Sequence, residues 1–295
     1  MRSQKGQIIL ILIMVMIVAL AIGLSVIQRS LVDVSSSTKV EESSRAFSAA
    51  EAGIERAIVA NSSIGQVDLG NNSLIAGVQK IDQPQPREAL EYPPFSKAEI
   101  AQVWLADPNS FTNPPAEFYN RQRLEVYWGD HGSDDKVALE LILIYYDADK
   151  YQARRWYLDN SLASRNPDNN FDITATCSNK DSEPQRPDPN SIYEYQCYKQ
   201  LGNGECRTRL GNCSDNDKLP PGLMLLRARL LYNDNSSHPF AANPVQGSSL
   251  PTQASIFIST GTSGNTQRKV RVFRLYKVLP SYFDYAIFSA AEINK

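Results

Sequence analysis

The chain of 295 residues has only two histidines, and it lacks the short motifs that usually mark a catalytic centre. G-x-S-x-G, the P-loop and H-E-x-x-H are all absent. The run from His131 to Asp135 contains residue types found in hydrolase sites, but a histidine in a surface loop is far more common. We interpret His131 and His238 as surface-loop residues, and we predict a protein without enzymatic activity or a cofactor.

The chain also lacks an excess of charge of either sign, with 30 basic and 32 acidic residues and a net charge of −2. This balance predicts no nucleic-acid partner. Two Asp-x-Asp pairs, Asp147 with Asp149 and Asp215 with Asp217, have a spacing that suits Ca²⁺. Because aspartates in a hairpin turn usually bond to the backbone, we expect no metal at the first pair. We assign no metal ligand at the second pair either, but the sequence leaves open whether residues 213–217 hold Ca²⁺.

Proline and glycine are scarce in the N-terminal part of the chain. No proline precedes Pro84, and Gly23 is the only glycine between Gly6 and Gly53. The sequence therefore predicts one helix over residues 7–60, about fifty residues and roughly 75–80 Å long.

Charge is missing altogether from residues 8–27, and the only polar residue among them is Ser25. Such a helix is about 30 Å long, which matches the hydrocarbon core of a bilayer. Arg2 and Lys5 precede it, so the positive-inside rule keeps the N-terminus in the cytoplasm. We predict a membrane span over residues 7–27, with the rest of the chain outside the cytoplasm.

Three interpretations of this segment compete. A cleaved secretory signal peptide has a possible cleavage site at Ala19-Leu-Ala21. Against it, Leu24, Ile27, Leu31 and Val34 continue one helical face beyond that site. A permanent signal anchor is the second interpretation, and the third follows from a resemblance to a known family.

A basic leader ending in Lys5-Gly6, an uninterrupted apolar helix and the run Arg45-Ala-Phe-Ser-Ala-Ala-Glu-Ala-Gly-Ile together resemble type IV prepilins, specifically the PilX-type minor pilins. The hairpin at 258–272 resembles the same family more loosely. The resemblance implies that prepilin peptidase cuts after Gly6 and that Gln7 is then methylated. It further implies a subunit that leaves the bacterial cytoplasmic membrane for a pilus, with other pilin subunits as partners of its helix.

Two positions depart from the family's pattern. Gln7 stands where pilins usually have Phe, and Ile11, the fifth residue after the cleavage site, stands where major pilins have Glu. In the family, this Glu carboxylate is thought to neutralise the terminal ammonium of a neighbouring subunit. An unpaired ammonium among apolar helices costs several kcal/mol, so a subunit without the Glu is a poor repeating unit. The absence of this Glu favours a minor over a major subunit, with a place at or near the fibre tip. The alternative is a membrane-anchored adhesion or binding domain that never polymerises.

All four cysteines lie in the segment expected outside the cytoplasm, and no C-x-x-C spacing occurs among them, which argues against structural zinc. An even number in an oxidising compartment indicates disulfides. Three pairings are open, and we favour the most local ones because short loops close most readily. These join Cys177 to Cys197 and Cys206 to Cys213.

The rest of the chain predicts an α+β head with a mainly antiparallel sheet of about six strands. The helix is expected to dock on this sheet through an apolar stripe of Phe47, Ala50, Ile54 and Ile58. The expected strands are 124–128, 137–146, 151–158, 223–232, 254–259 and 269–278.

The expected segments between these elements are irregular. Residues 61–122 form a connecting segment, in which 61–95 is loop and a capping box at Ser96-x-x-Glu99 opens a short helix over 97–106. The head spans 123–279 and contains a Cys-rich inserted loop at 160–222. The aromatic tail at 280–295 is either an edge strand of the head or an exposed subunit contact.

Overall fold

The computed structural model of the protein describes residues 5–97, 99–108, 118–203, 207–208, 211–212, 218–234, 236–245, 247–276, 278 and 280. It contains one helix, α1 (Lys5–Ala60), and fifteen strands. The strands are β1 (Val67–Gly70), β2 (Ser73–Gln83), β3 (Leu90–Phe95), β4 (Ala101–Trp104), β5 (Leu124–Asp130), β6 (Ala138–Asp147), β7 (Lys150–Leu158), β8 (Thr176–Cys177), β9 (Tyr195–Leu201), β10 (Arg207–Thr208), β11 (Gly211–Asn212), β12 (Leu223–Leu231), β13 (His238–Pro244), β14 (Ala254–Ser263) and β15 (Thr266–Leu275).

The chain divides into two compact units. The helix unit comprises the chain up to Ile81 together with Ile256–Phe273, and the sheet unit comprises Asp82–Ser255 and the segment from Arg274. The α+β class is as predicted, and all six predicted strands are present. The expected total of about six strands is wrong, because the sheets have four, four, five and two strands.

The helix unit combines α1 with a four-stranded sheet in the order β1-β2-β14-β15. Its core contains Ile54, Ala57, Ile75, Val78 and Phe257, so the last turns of the helix pack on the sheet. The stability of this end of α1 therefore comes from burial rather than from helix propensity alone.

The sheet unit contains a four-stranded sheet in the order β4-β12-β6-β7 and a five-stranded sheet in the order β3-β13-β5-β9-β8. As predicted, β6 is a central strand, flanked by antiparallel β12 and β7. Alternate residues of β6 face the main core, while Glu140 on its other face is also buried. The main core includes Trp128, Leu139, Leu141, Leu143, Leu226 and Phe240.

Residues 61–95 are not the loop that their composition indicates. They contain β1, β2 and β3, and the turn between β1 and β2 has Asn71 and Asn72 at φ 48° and 58°. Two successive residues with positive φ form the turn that matches the twist of a two-stranded hairpin, and asparagine tolerates this conformation well. The polar residues therefore close a hairpin rather than a loop.

The prediction of a short helix over 97–106 is also wrong. The capping interaction exists, because Glu99 accepts hydrogen bonds from the backbone N–H (2.8 Å) and the hydroxyl (3.1 Å) of Ser96. It closes a turn, and β4 follows, paired antiparallel with β12. Because Ala101, Gln102 and Val103 are all buried, pairing with β12 outweighs the local helix signal.

The Cys-rich segment 160–222 is likewise not simply an inserted loop. Its strand β9 pairs with β5 from Leu201 to Tyr195 and places Cys197 in the main core. The prolines and asparagines on either side obscure this strand in the sequence. The tail prediction falls mainly on residues 281–295, which lie outside the described residues.

Candidate assembly surface on the N-terminal helix

The first half of α1 exposes an unbroken apolar surface. Among the described residues, α1 is the one helix long and apolar enough to cross a membrane, and its apolar window is not buried by the rest of the protein. An apolar surface of this size is unfavourable in water and indicates a lipid or protein environment. The large exposed side chains between Ile9 and Ile27 are Ile9, Leu10, Ile11, Leu12, Ile13, Met14, Val15, Met16, Ile17, Val18, Leu20, Ile22, Leu24, Val26 and Ile27.

The second half of α1 docks on the sheet through small residues. Of the predicted stripe, Ala50 and Ile54 are buried and Ile58 is half-buried against the same cluster. Phe47 is wrongly assigned, because 47% of its surface is exposed. The buried face consists of Ala46, Ala49, Ala50, Gly53, Ile54 and Ala57, at steps of three and four residues.

Small residues form this face, and Phe47 does not, because the backbones of the helix and the sheet approach each other closely. A β-carbon added to Gly261 of β14 would overlap the carbonyl oxygen of Ala46 and the amide nitrogen of Ala50. One added to Gly53 would overlap the Ser259 hydroxyl. No large side chain fits between elements this close. Small residues therefore mark the docking face here, and large apolar residues do not.

Polar contacts fix the helix beside the β14–β15 hairpin. The Thr266 hydroxyl donates to the Glu42 carboxylate at 3.0 Å. The Arg268 guanidinium donates from Nε at 2.8 Å and from Nη2 at 2.6 Å to the Ser43 hydroxyl. These contacts lie on the same helical face as Ala46, so the apolar and polar contacts hold one orientation of α1 about its axis.

The predicted processing residues lie at the start of this helix. Gly6 and Gln7 belong to α1, and residues 1–4 lie outside the described residues. Cleavage after Gly6 and methylation of Gln7 remain predictions.

One of the two favoured disulfides is present. Cys177 of β8 is bonded to Cys197 of β9, with their Cα atoms 4.1 Å apart and the two residues directly opposite each other. Cys206 and Cys213 lie outside the described residues, so their pairing stays a prediction. The bond fastens the short edge strand β8 to β9.

The histidines are buried, so their interpretation as surface-loop residues is wrong. His238 opens β13 with no exposed surface, and His131 is 6% exposed. The Nε2 atom of His131 has no hydrogen-bond partner in the part of the chain that the structure describes.

His238 belongs to a group that superficially resembles a catalytic triad. Its Nε2 lies 2.7 Å from the Ser236 hydroxyl, which in turn donates to the Asp135 carboxylate. The backbone N–H of Asp130 donates to Nδ1 at 3.0 Å, so neutral His238 carries its proton on Nε2 and donates it to Ser236. A general base would have to accept from the serine, and this arrangement has the opposite polarity.

Neither predicted Asp-x-Asp pair forms a described metal site. Ala148 and Asp149 have φ of 49° and 61°, so they form the tight turn between β6 and β7. Asp215 and Asp217 lie outside the described residues. Elsewhere in the described chain, no three His, Cys, Asp or Glu side chains come together as a possible metal site.

Comparisons with protein-family models, with curated proteins and with solved structures found no match to this chain.

Proposed function

We propose that the protein is a non-enzymatic minor pilin-like subunit, processed after Gly6, inserted by its N-terminal helix and packed into a type IV pilus or related pseudopilus. The observation that carries this proposal is the division of α1 into two functional halves. The half before Gln28 is apolar and exposed, and the half after Ser43 packs on a sheet through one face. A helix of this kind joins a globular domain to a bundle of other apolar helices.

The mechanism is packing of apolar helices. Before assembly the apolar half lies in the bacterial cytoplasmic membrane, and in the fibre it exchanges lipid for the helices of other subunits. Lipid and apolar helices are similar environments, so this exchange needs no refolding of the domain. The domain, held in one orientation about α1 by the contacts at Ala46 and Ser43, is carried on the outside of the fibre.

Intact-mass analysis of protein from a host with prepilin peptidase tests the processing step. The expected N-terminus is methylated Gln7. An N-terminus at Met1 would instead show a permanent anchor, and one at Ile22 would show a cleaved signal peptide, and either would overturn the proposal.

A glycine pair on the same helix supplies the matched control. Gly6→Leu is expected to block processing, because the bulky side chain replaces the residue before the scissile bond. Gly23→Leu adds the same side chain to α1, where no other atom lies within 4 Å of the added β-carbon, and should be processed like the unaltered protein. Equal processing of both variants would contradict cleavage after Gly6.

The second candidate is a membrane-anchored adhesion or binding domain that does not polymerise. The observation that favours it is Ile11, which leaves the subunit without the carboxylate expected at the fifth position of a repeating subunit. Mechanical shearing of cells separates the two candidates. A fibre subunit appears in the sheared fraction, whereas an anchored domain stays with the membrane.

A further inference from the structure

Strand β15 forms one edge of the sheet in the helix unit. Its only neighbour among the described strands is β14, and the sheet order ends at β15. The opposite side of an edge strand presents backbone N–H and C=O groups that can pair with another extended segment. Native proteins commonly protect such edges by making them short, and β15 has ten residues.

Positive charge is concentrated on this edge. No Asp or Glu occurs from residue 235 to 283, and every basic residue in that interval falls within 268–277. Arg268, Lys269 and Arg271 lie in the part of β15 that belongs to the helix unit. The Glu42 carboxylate of α1 lies beside Thr266 at the start of the strand. Further along, residues 268–271 carry three positive charges and no negative one, which favours an anionic partner.

The same edge also exposes an aromatic side chain. Val270 and Val272 pack towards the core of the helix unit, which leaves Lys269, Arg271 and Phe273 on the other face. Phe273 is 58% exposed, and the Arg271 guanidinium lies 4.6 Å from the centre of its ring. Lysine and arginine alone would protect an edge from pairing, but protection gives no reason to expose Phe273 beside them.

We propose that β15 binds an extended acidic segment of a partner protein as an added strand. The backbone of the partner would pair with the open edge. Its carboxylates would meet Lys269 and Arg271. An apolar side chain on the same face of the partner, two residues further along, would pack on Phe273. A polyanion such as DNA matches the charge, but it uses neither the backbone row nor Phe273, and for this reason we favour a peptide.

Binding of labelled peptides to the full chain in detergent micelles tests the proposal, with fluorescence anisotropy as the measurement. The probes are short synthetic peptides with the pattern Glu-x-Glu-x-Phe or its reverse, which puts both carboxylates and the aromatic ring on one face of the added strand. Saturable binding is expected, and Lys269→Glu combined with Arg271→Glu should weaken it about tenfold or more. Absence of binding across the set of peptides, or binding that this double variant leaves unchanged, would overturn the proposal.

A lysine on another edge strand provides the matched control. Lys150 is exposed at the start of β7, which is an edge of the sheet β4-β12-β6-β7. Lys150→Glu changes the net charge as much as Lys269→Glu does, but it should leave the affinity unchanged. If Lys150→Glu and Lys269→Glu weakened peptide binding equally, the effect would come from long-range charge, and the assignment to β15 would be overturned.

Two probes on the unaltered protein separate strand addition from attraction of any polyanion. Peptides N-methylated at alternate residues keep their charge but cannot donate along one edge, and they should bind at least about tenfold more weakly. A duplex DNA oligonucleotide should bind more weakly than the peptide at the same salt concentration. Full affinity of the N-methylated peptide, or tighter binding of the DNA, would refute strand addition, and neither result depends on a variant that folds.

Discussion

Gly261 of β14 lies directly against the carbonyl oxygen of Ala46 in α1, with no space for a β-carbon between them. The carbonyl carbon of Ala49 is also only 3.0 Å from where that β-carbon would be. The helix and the sheet are therefore in backbone contact at this point. This contact brings the run Ala-Phe-Ser-Ala-Ala-Glu-Ala-Gly against the β14–β15 hairpin.

Gly261→Ala should destabilise the helix unit strongly. The added methyl group meets backbone atoms that cannot rotate away, and overpacking of this kind typically costs about 1–3 kcal/mol, occasionally more. Gly65→Ala is the control, because no atom lies within 4 Å of its added β-carbon. Thermal unfolding of both variants checks the prediction, and equal midpoints would show that the two backbones are not in contact.

The face of α1 that docks on the sheet can be tested by a pair of truncations. Ile54→Ala removes buried atoms from the core of the helix unit and should cost about 2–5 kcal/mol. Phe47→Ala removes a larger side chain that is half exposed, and it should change stability by no more than about 0.5 kcal/mol. Urea unfolding measures both, and the reverse order would restore Phe47 to the docking face.

The central strand β6 and the long helix could be predicted from the sequence because their patterns are local. The nearly continuous apolar run of β6, interrupted by Glu140, and the scarcity of proline and glycine in α1 are properties of consecutive residues. Strands β4 and β13 could not be predicted in this way. The local signal in β4 is a capping box, and β13 begins His-Pro and ends at Pro244, yet both pair with distant strands that outweigh these signals.

The docking face can be predicted only in part, for a related reason. Large apolar side chains are the usual signal of burial, and this signal favours Phe47. Backbone contact instead requires alanine and glycine, and the requirement comes from Gly261, which is more than two hundred residues away along the chain. The repeated small residues at Ala46, Ala50 and Gly53 were the available signal, and they make sense only once the partner strand is known.

Glu140 on β6 should be essential to the stability of the sheet unit. It is 1% exposed and pairs with Arg155 at 3.1 Å and with Arg229 of the neighbouring strand β12. Glu140→Gln removes the buried negative charge that faces two partly buried guanidinium groups, which should cost about 3 kcal/mol. Urea unfolding measures the loss.

The control for Glu140 is an ion pair of the same types in a different environment. Glu194 pairs with Arg186 on the surface, and Glu194→Gln should cost no more than about 1 kcal/mol. If the two substitutions had similar effects, the Glu140 carboxylate would not be the counter-charge of a buried cluster.

His238 should make the protein less stable in mild acid. Burial lowers the pKa of its imidazole below the usual value, and this effect outweighs the nearby carboxylates of Asp135 and Asp130, which act in the opposite direction. Because the folded protein favours the neutral ring, the stabilisation is complete above the unfolded pKa of about 6.5 and is lost as the pH falls through the lower folded value. Protonation at Nδ1 also removes the acceptor of the Asp130 N–H.

The free energy of unfolding, measured by urea at a series of pH values, should fall over this range in the unaltered protein, and His238→Gln should flatten the slope. An unchanged slope in the variant would assign the acid sensitivity to other groups.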